Sequence, residues 1–228
     1  MADRWPAVLQ AGLLSLALAA GAGHAGAPTA EDARAEAQVL ASLAPAATRQ
    51  GLTLQLRAAN GQVVRFVNDH ASDDRPADYA DHRLTGTTRD GKFFVVYSLG
   101  HESETTFWVS RATGQQFEVY DTPAVSPDGR FAVTALHRES SGPEGLFIWD
   151  INGDQLKPPN HLRHGNYGLF TFQRWVGSDN AELALYSHSF LNYCRAGAQA
   201  TTATVRLTRV GTGWNITYPT SARDVRCE

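Results

Sequence analysis

The stretch that decides the fold runs from Tyr120 to Val133 and reads YDTPAVSPDGRFAV; LFIWD follows at Leu146–Asp150. Its Ser-Pro-Asp-Gly turn leads directly into a run of apolar residues. Pro, Asp and Gly favour tight turns, whereas aromatic and β-branched residues favour strands. The stretch therefore predicts two adjacent strands joined by a turn at residues 126–129.

Related turns lie on either side of this stretch. Asp90-Gly91 precedes an apolar run in residues 88–96, and Asp179-Asn180 precedes another in residues 177–185. The turns are spaced by about 40 and then about 50 residues, a period typical of propellers, solenoids and arrays. The chain is therefore predicted to contain repeats.

Four hairpin patterns accompany these turns, in residues 52–67, 107–119, 146–156 and 205–216. The first contains Asn60-Gly61 between two apolar runs, which is a strong hairpin signal. The patterns predict an all-β fold of about three and a half propeller-like, four-stranded repeats. Because there are four hairpins but only three inner strand pairs, a small or incomplete β-propeller and an open multi-sheet array both remain possible.

The stretch Tyr120–Val133, with Leu146–Asp150, resembles a blade of the TolB-type, WD40-like β-propeller repeat proteins. In that family the Ser-Pro-Asp-Gly turn joins the two inner strands of a blade. The resemblance covers roughly residues 52–218, although the copies around Asp90 and Asp179 are degenerate. It implies a scaffold and no particular activity.

Residues 1–25 have the features of a secretory signal peptide. Arg4 lies in a short basic region, an apolar run extends over residues 11–22, and small residues follow up to Ala27. Cleavage after Ala25 or after Ala27 fits the pattern equally well. The run is shorter than the roughly 20 apolar residues that span a bilayer. We therefore expect a periplasmic or secreted protein with no integral membrane segment after cleavage.

A short helix is predicted to follow the signal peptide. Thr29 and the acids behind it form a capping-box-like start, and Pro45 ends the helical pattern. The predicted helix covers residues 30–44. The predicted organisation is thus a signal peptide (1–25), a short helix with linker (26–50) and a β-repeat domain (51–228).

The only two cysteines are Cys194 and Cys227. In an exported protein such a pair predicts a disulfide. Free or metal-bound thiols are the alternative, although neither cysteine belongs to a Cys-x-x-Cys pattern.

The formal net charge of −3 gives no reason to expect nucleic acid as a partner. Because no glycine-rich phosphate loop occurs, no cofactor is predicted.

Two groups of residues could bind a metal ion. Residues 68–82 contain five Asp and two His, but they lack the spacing of a calcium loop, so we favour a solvated connecting loop. His161 and His164 lie three residues apart on a predicted loop, with His188 further on. Zinc needs three or four converging ligands, so no metal site is assigned.

The chain contains no Gly-x-Ser-x-Gly or His-Glu-x-x-His motif, so no catalytic residue is assigned. Ser187-His188-Ser189 places Ser beside His, but neighbours on a strand point to opposite faces. A secreted hydrolase or lyase remains an alternative. It requires loop residues to converge in one pocket, and the candidates are Asp73, Asp74, His101, His137 and Glu139.

Four tryptophans lie in predicted strands: Trp108, Trp149, Trp175 and Trp214. Their recurrence within the repeats indicates packing between sheets, with a stacking platform for ligands as the alternative. The sequence therefore favours a non-catalytic periplasmic β-repeat protein that binds a protein partner in the cell envelope. Inhibitor or immunity proteins belong to this class. A metal-binding envelope protein is a further alternative.

Overall fold

The Ser-Pro-Asp-Gly turn joins two antiparallel strands in the computed structural model, as the sequence predicts. The structure describes residues 29–70, 78–101, 103–136, 143–163, 168–187, 191–192, 194, 201–221, 223 and 225–227. The described chain forms four antiparallel sheets and one helix, so the all-β prediction is confirmed.

The four sheets, named A to D here, follow one another along the chain. Sheet A contains β1 (Ala47–Gln50), β2 (Thr53–Arg57) and β3 (Val63–Val67). Sheet B contains β4 (Ala80–Thr87), β5 (Phe93–Gly100), β6 (Glu104–Ser110) and β7 (Gln116–Glu118). Sheet C contains β8 (Ala124–Val125), β9 (Phe131–Leu136), β10 (Gly145–Asn152), β11 (Gln155–Leu156) and β12 (Asn160–Leu162). Sheet D contains β13 (Leu169–Trp175), β14 (Asn180–Tyr186), β15 (Thr201–Val210), β16 (Gly213–Thr217) and β17 (Val225–Cys227).

All four predicted hairpins are present, as β2–β3, β6–β7, β10–β11 and β15–β16. The three predicted inner pairs are β4–β5, β8–β9 and β13–β14. Strand β1, which the sequence patterns did not predict, lies in the segment assigned to the linker. Sheet A therefore has three strands, because it lacks a counterpart of the first strand of sheets B, C and D.

Neighbouring sheets pack face to face through three separate cores. Leu54 of sheet A packs with Phe94 of sheet B, and Phe93 of sheet B packs with Trp149 of sheet C. Phe93 and Phe94 point to opposite faces because successive strand residues alternate. Phe131 belongs to the third core, between sheets C and D. Each inner sheet is thus apolar on both faces.

The two end sheets have polar outer faces, which distinguishes an open array from a closed propeller. Gln55 and Arg65 face each other on the outside of sheet A. On the outside of sheet D, Arg174 pairs with Glu182 at 2.7 Å and Arg206 lies 4.0 Å from the same carboxylate. No core cluster of the described residues joins sheet D to sheet A. The described sheets form an open array, since closure would require apolar outer faces.

Helix α1 (Ala30–Leu43) begins with the predicted capping box, in which Thr29 Oγ1 accepts from the Asp32 backbone N–H at 3.1 Å. Val39 and Leu43 pack on the core between sheets A and B. Glu36 accepts two hydrogen bonds from Arg49, which attaches the helix to β1. No helix among the described residues has the length and apolarity needed to cross a membrane.

The predicted disulfide is confirmed: Cys194 is bonded to Cys227 across a sequence separation of 33 residues. Cys227 lies in β17, where it pairs with Thr201 of β15. The bond therefore fixes the last strand of the chain to the edge of sheet D.

Candidate functional site

The turn at residues 126–131 is closed by its own side chains. Ser126 Oγ donates to Asp128 Oδ1 at 2.7 Å, and the same oxygen accepts from the Arg130 backbone N–H at 3.2 Å. Ser126 Oγ also accepts from the Phe131 backbone N–H at 3.0 Å. Gly129 has φ +73°, a conformation that favours glycine. These contacts explain why Ser, Asp and Gly occur at this spacing.

The turn at residues 88–93 repeats this network. Thr88 Oγ1 donates to Asp90 Oδ1 at 2.7 Å, and the Lys92 backbone N–H donates to the same oxygen at 3.2 Å. The Phe93 backbone N–H donates to Thr88 Oγ1 at 3.2 Å. The copy at Asp90 is degenerate in sequence, but its hydrogen bonds match those at Asp128. The shared pattern is Ser/Thr-x-Asp-Gly-Lys/Arg-Phe.

Both turn carboxylates are stabilised in the ionised form. Burial raises the pKa of Asp90, but hydrogen bonds from Thr88 and Lys92 outweigh it, so the net pKa is lowered. Burial likewise raises the pKa of Asp128, and hydrogen bonds from Arg130 and Ser126 reverse the effect and hold this pKa well below its usual range. These acids therefore act as hydrogen-bond acceptors within the turns and are poorly suited to donate protons.

Replacing Asp128 by alanine is expected to lower the free energy of unfolding by about 1–2 kcal/mol, because several donors lose a charged acceptor. Asp128→Asn keeps Oδ1 as an acceptor and is expected to lose less. Urea denaturation followed by circular dichroism measures both values. Equal losses in the two variants would contradict the role assigned to this oxygen.

A groove of about 590 Å³ opens between these two turns, at the boundary of sheets B and C. We name it the B/C groove. Its apolar lining includes Phe93, Trp108, Val125, Pro127 and Ile151. Its rim carries Thr88, Arg89, Asp90, Lys92, Ser126, Asp128 and Gly129. The groove thus combines an apolar floor with charged side chains at its edge.

Ile151, which lines the B/C groove, has an equivalent residue at the boundary between sheets C and D. The Ile151 backbone N–H donates to the Arg130 carbonyl at 2.7 Å, and the Arg209 backbone N–H donates to the Asp179 carbonyl at 2.9 Å. Ile151 and Arg209 therefore occupy equivalent places in sheets C and D. The Arg209 guanidinium lies 4.7 Å from the Phe131 ring centroid and covers it. In sheet C the equivalent residue is the shorter, partly exposed Ile151, which lines the B/C groove together with Phe93 and Trp108; both of these rings are buried, with exposed fractions of 1% and 3%.

A second groove, of about 620 Å³, lies beside the first at the boundary of sheets A and B, and we name it the A/B groove. Its lining includes Arg57, Lys92, Arg111 and Asp154. Lys92 also lines the B/C groove. The two grooves are therefore neighbours on the end of the array that carries the turns.

The acidic segment at residues 68–82 is only partly the solvated loop that the sequence favoured. Asp81 lies in β4 and its exposed fraction is 1%. Asn68 Nδ2 donates to Asp81 Oδ1 at 2.7 Å, and Arg83 Nε lies 3.0 Å from Oδ2. His70 Nε2 lies 3.5 Å from Oδ1. Asp81 is therefore a buried structural carboxylate. The sequence did not reveal this, because the acids of residues 68–82 form a hydrophilic run with no alternation of apolar and polar residues.

The structure pairs a serine and a histidine that sequence reasoning did not connect. Ser98 and His82 lie opposite each other on β5 and β4, with Oγ 2.8 Å from Nδ1. The His82 ring also contacts Phe66. Among the described residues no carboxylate hydrogen-bonds the His82 ring, so the pair lacks the third group of a catalytic triad. The sequence does not reveal this pair, because only the register of β4 against β5 brings the two residues together.

Stability is expected to fall as the pH drops from about 7.5 to about 5.5 because of His82. Burial lowers its pKa; Asp81 partly opposes this effect and Arg49 adds to it. The unfolded chain therefore takes up this proton at a higher pH than the folded chain does, which favours unfolding below the ordinary value of 6.5. Urea denaturation across this range measures the effect. His82→Gln should flatten the profile, and an unchanged slope would contradict the assignment.

The other predicted site residues do not converge among the described residues. His161 lies on strand β12 and not on a loop, since it pairs with Phe147 of β10. Its ring stacks on Phe147, and its Nε2 is 2.7 Å from the Glu144 carbonyl oxygen. His101 follows β5. The remaining candidates lie outside the described residues: Asp73, Asp74, His137, Glu139, His164, His188 and Ser189. No group of three metal-binding side chains occurs in the described part of the chain.

The tryptophans pack between sheets, as the sequence predicts. Trp108 and Trp149 are buried between sheets B and C, and Trp214 is buried between sheets C and D with Trp175 packed against it. Of these, Trp108 also lines the B/C groove.

A scan against protein-family models and a search of curated proteins found no match to this chain.

Proposed function

We propose that the protein is an exported, non-catalytic β-repeat protein of the cell envelope that binds a partner protein through the B/C groove. The observation that carries this proposal is the apolar lining of that groove, in which Val125 and Pro127 are exposed and Ile151 is partly exposed. An apolar centre with a polar rim is the usual composition of a protein-binding surface. Inhibition of the partner, as by an immunity protein, belongs to the same proposal.

Export is supported by the signal-like pattern of residues 1–25 and by the Cys194–Cys227 disulfide, which an oxidising compartment favours. The resemblance of residues 52–218 to TolB-type repeats supports a scaffold role. The expected location is the periplasm or the exterior.

Binding is preferred to catalysis because of the chemistry of the groove. The described residues that line it include no histidine and no cysteine. Its two carboxylates, Asp90 and Asp128, already accept hydrogen bonds within the turns. A hydrolytic site usually needs a proton-transfer group with a pKa near the working pH, and neither acid meets this requirement.

Photo-crosslinking from two matched valines tests the proposal. Val125 lines the B/C groove with an exposed fraction of 38%, and Val67 has an exposed fraction of 57% on sheet A, away from the groove. A photoreactive amino acid is introduced at each position in the full chain, and the cells are irradiated. We expect one envelope protein to be crosslinked at position 125 and not at position 67.

Ile151→Arg is the matched groove variant, because it restores the residue type that covers the equivalent aromatic ring between sheets C and D. It is expected to remove the adduct at position 125. No adduct at this position, or the same adducts from both positions, would count against partner binding in the groove.

A further inference from the structure

Resting on the proposed function, we infer that the groove binds an acidic segment of the partner, with an apolar side chain seated over Ile151 and carboxylates paired with Arg89 and Arg57. The inference comes from the distribution of satisfied and unsatisfied charges around the two grooves. It specifies the chemistry of the partner, which the proposed function leaves open.

The acids that line the grooves are already satisfied. Asp90 and Asp128 accept hydrogen bonds from the hydroxyl and backbone groups of their own turns. Asp154, in the A/B groove, accepts from Ser110 Oγ at 3.0 Å, a bond that lowers the pKa of Asp154. Asp90 is also ion-paired with Lys92, and Asp128 with Arg130, so cations of this chain already balance the charges of these two acids.

Two of the lining arginines are in the opposite situation. Arg89, at the B/C groove, and Arg57, at the A/B groove, are both exposed. Neither guanidinium has a hydrogen bond or ion pair with any described residue. In contrast, Arg111 donates to the Gly91 carbonyl at 2.9 Å. Exposed guanidinium groups favour carboxylate ligands, which they can bind through two parallel hydrogen bonds.

The two grooves share one lining residue, so an extended segment that leaves one groove can enter the other. Lys92 lines both grooves, whereas Arg89 lines the B/C groove and Arg57 lines the A/B groove. Lys92 is itself paired with Asp90 at 3.2 Å. The apolar side chains that are at least partly exposed, Val125, Pro127 and Ile151, line the B/C groove. An apolar anchor is therefore expected at that side, with carboxylates next to it and toward the A/B groove.

Three synthetic peptides test this chemistry by NMR titration of the purified, disulfide-bonded protein. The acidic probe is acetyl-Asp-Gly-Leu-Asp-Gly-amide; a second peptide has Asn for both Asp, and a third has Ala for Leu. We expect the acidic probe to bind at least about tenfold more tightly than either analogue, with the amide shifts centred on Arg89, Gly129 and Ile151. The advantage over the Asn peptide should shrink at high salt.

Two groove variants separate the contribution of the carboxylates from that of the apolar side chain, and a third variant is the control. Arg89→Glu should remove the preference for Asp over Asn, and Ile151→Arg should remove the preference for Leu over Ala. Arg65→Glu changes an exposed arginine on the outer face of sheet A and serves as the control. It should leave both preferences intact.

The inference fails if the Asn peptide binds as tightly as the acidic probe, if the shifts lie outside the grooves, or if about millimolar probe causes no shifts. Such a result together with a specific crosslink at position 125 would overturn only the acidic chemistry. Failure of both experiments would overturn the proposed function as well.

Discussion

Replacing Trp149 by alanine is expected to lower the free energy of unfolding by about 3–5 kcal/mol. Trp149 has an exposed fraction of 2% and lies in the core between sheets B and C. Its ring centroid is 6.1 Å from those of both Tyr120 and Phe147. The loss combines the transfer energy of a large apolar group with the cavity that the neighbouring sheets cannot fill.

Urea denaturation followed by far-ultraviolet circular dichroism measures this effect without depending on tryptophan fluorescence. Trp149→Phe keeps an aromatic ring in the core and is expected to lose less. Leu52→Ala is the surface control, since Leu52 is 50% exposed, and it should unfold close to the wild type. If Trp149→Ala unfolded like Leu52→Ala, sheets B and C would not share this core.

Removal of the Cys194–Cys227 disulfide is expected to lower the free energy of unfolding by roughly 3–4 kcal/mol. The bond closes a loop of 33 residues and so restricts the unfolded chain. It also fixes β17, which pairs with β15 over Thr201–Ala203. Without the bond, this terminal strand should be the first part of sheet D to exchange its amide hydrogens.

The variant Cys194→Ser/Cys227→Ser tests this expectation, because it avoids a single unpaired thiol. Denaturation gives the loss of stability, and hydrogen exchange locates it. Wild-type protein treated with a reducing agent should match the variant. Comparable stability of the oxidised and reduced proteins would contradict a stabilising role.

The two grooves depend on this architecture in different ways. Each lies where two separate sheets meet, so their shape is set by the packing of the cores beneath them. Trp108 belongs both to the core between sheets B and C and to the lining of the B/C groove. Core variants in this region are therefore expected to alter binding as well as stability, whereas Ile151→Arg changes the groove from its surface.

The sequence by itself determined the local structure. Turns such as 126–131 are closed by bonds between residues at most five positions apart, so residue types and spacing were enough to locate them. Hairpins follow from alternation and turn residues, and helix α1 follows from its cap and apolar face. The disulfide was predictable because the chain has only two cysteines and carries an export-like N-terminus.

Only the tertiary structure decided how the sheets are arranged and where the candidate site lies. The open array depends on which strand faces pack against another sheet. That Arg65 and Arg206 lie on the outer faces of sheets A and D follows only from the assembled sheets. The burial of Asp81 and the pairing of His82 with Ser98 depend on contacts across strands. That Ile151 and Arg209 occupy equivalent positions in sheets C and D likewise follows only from their backbone hydrogen bonds. Local patterns specify strands and turns, whereas a groove between sheets is formed by residues distant in sequence.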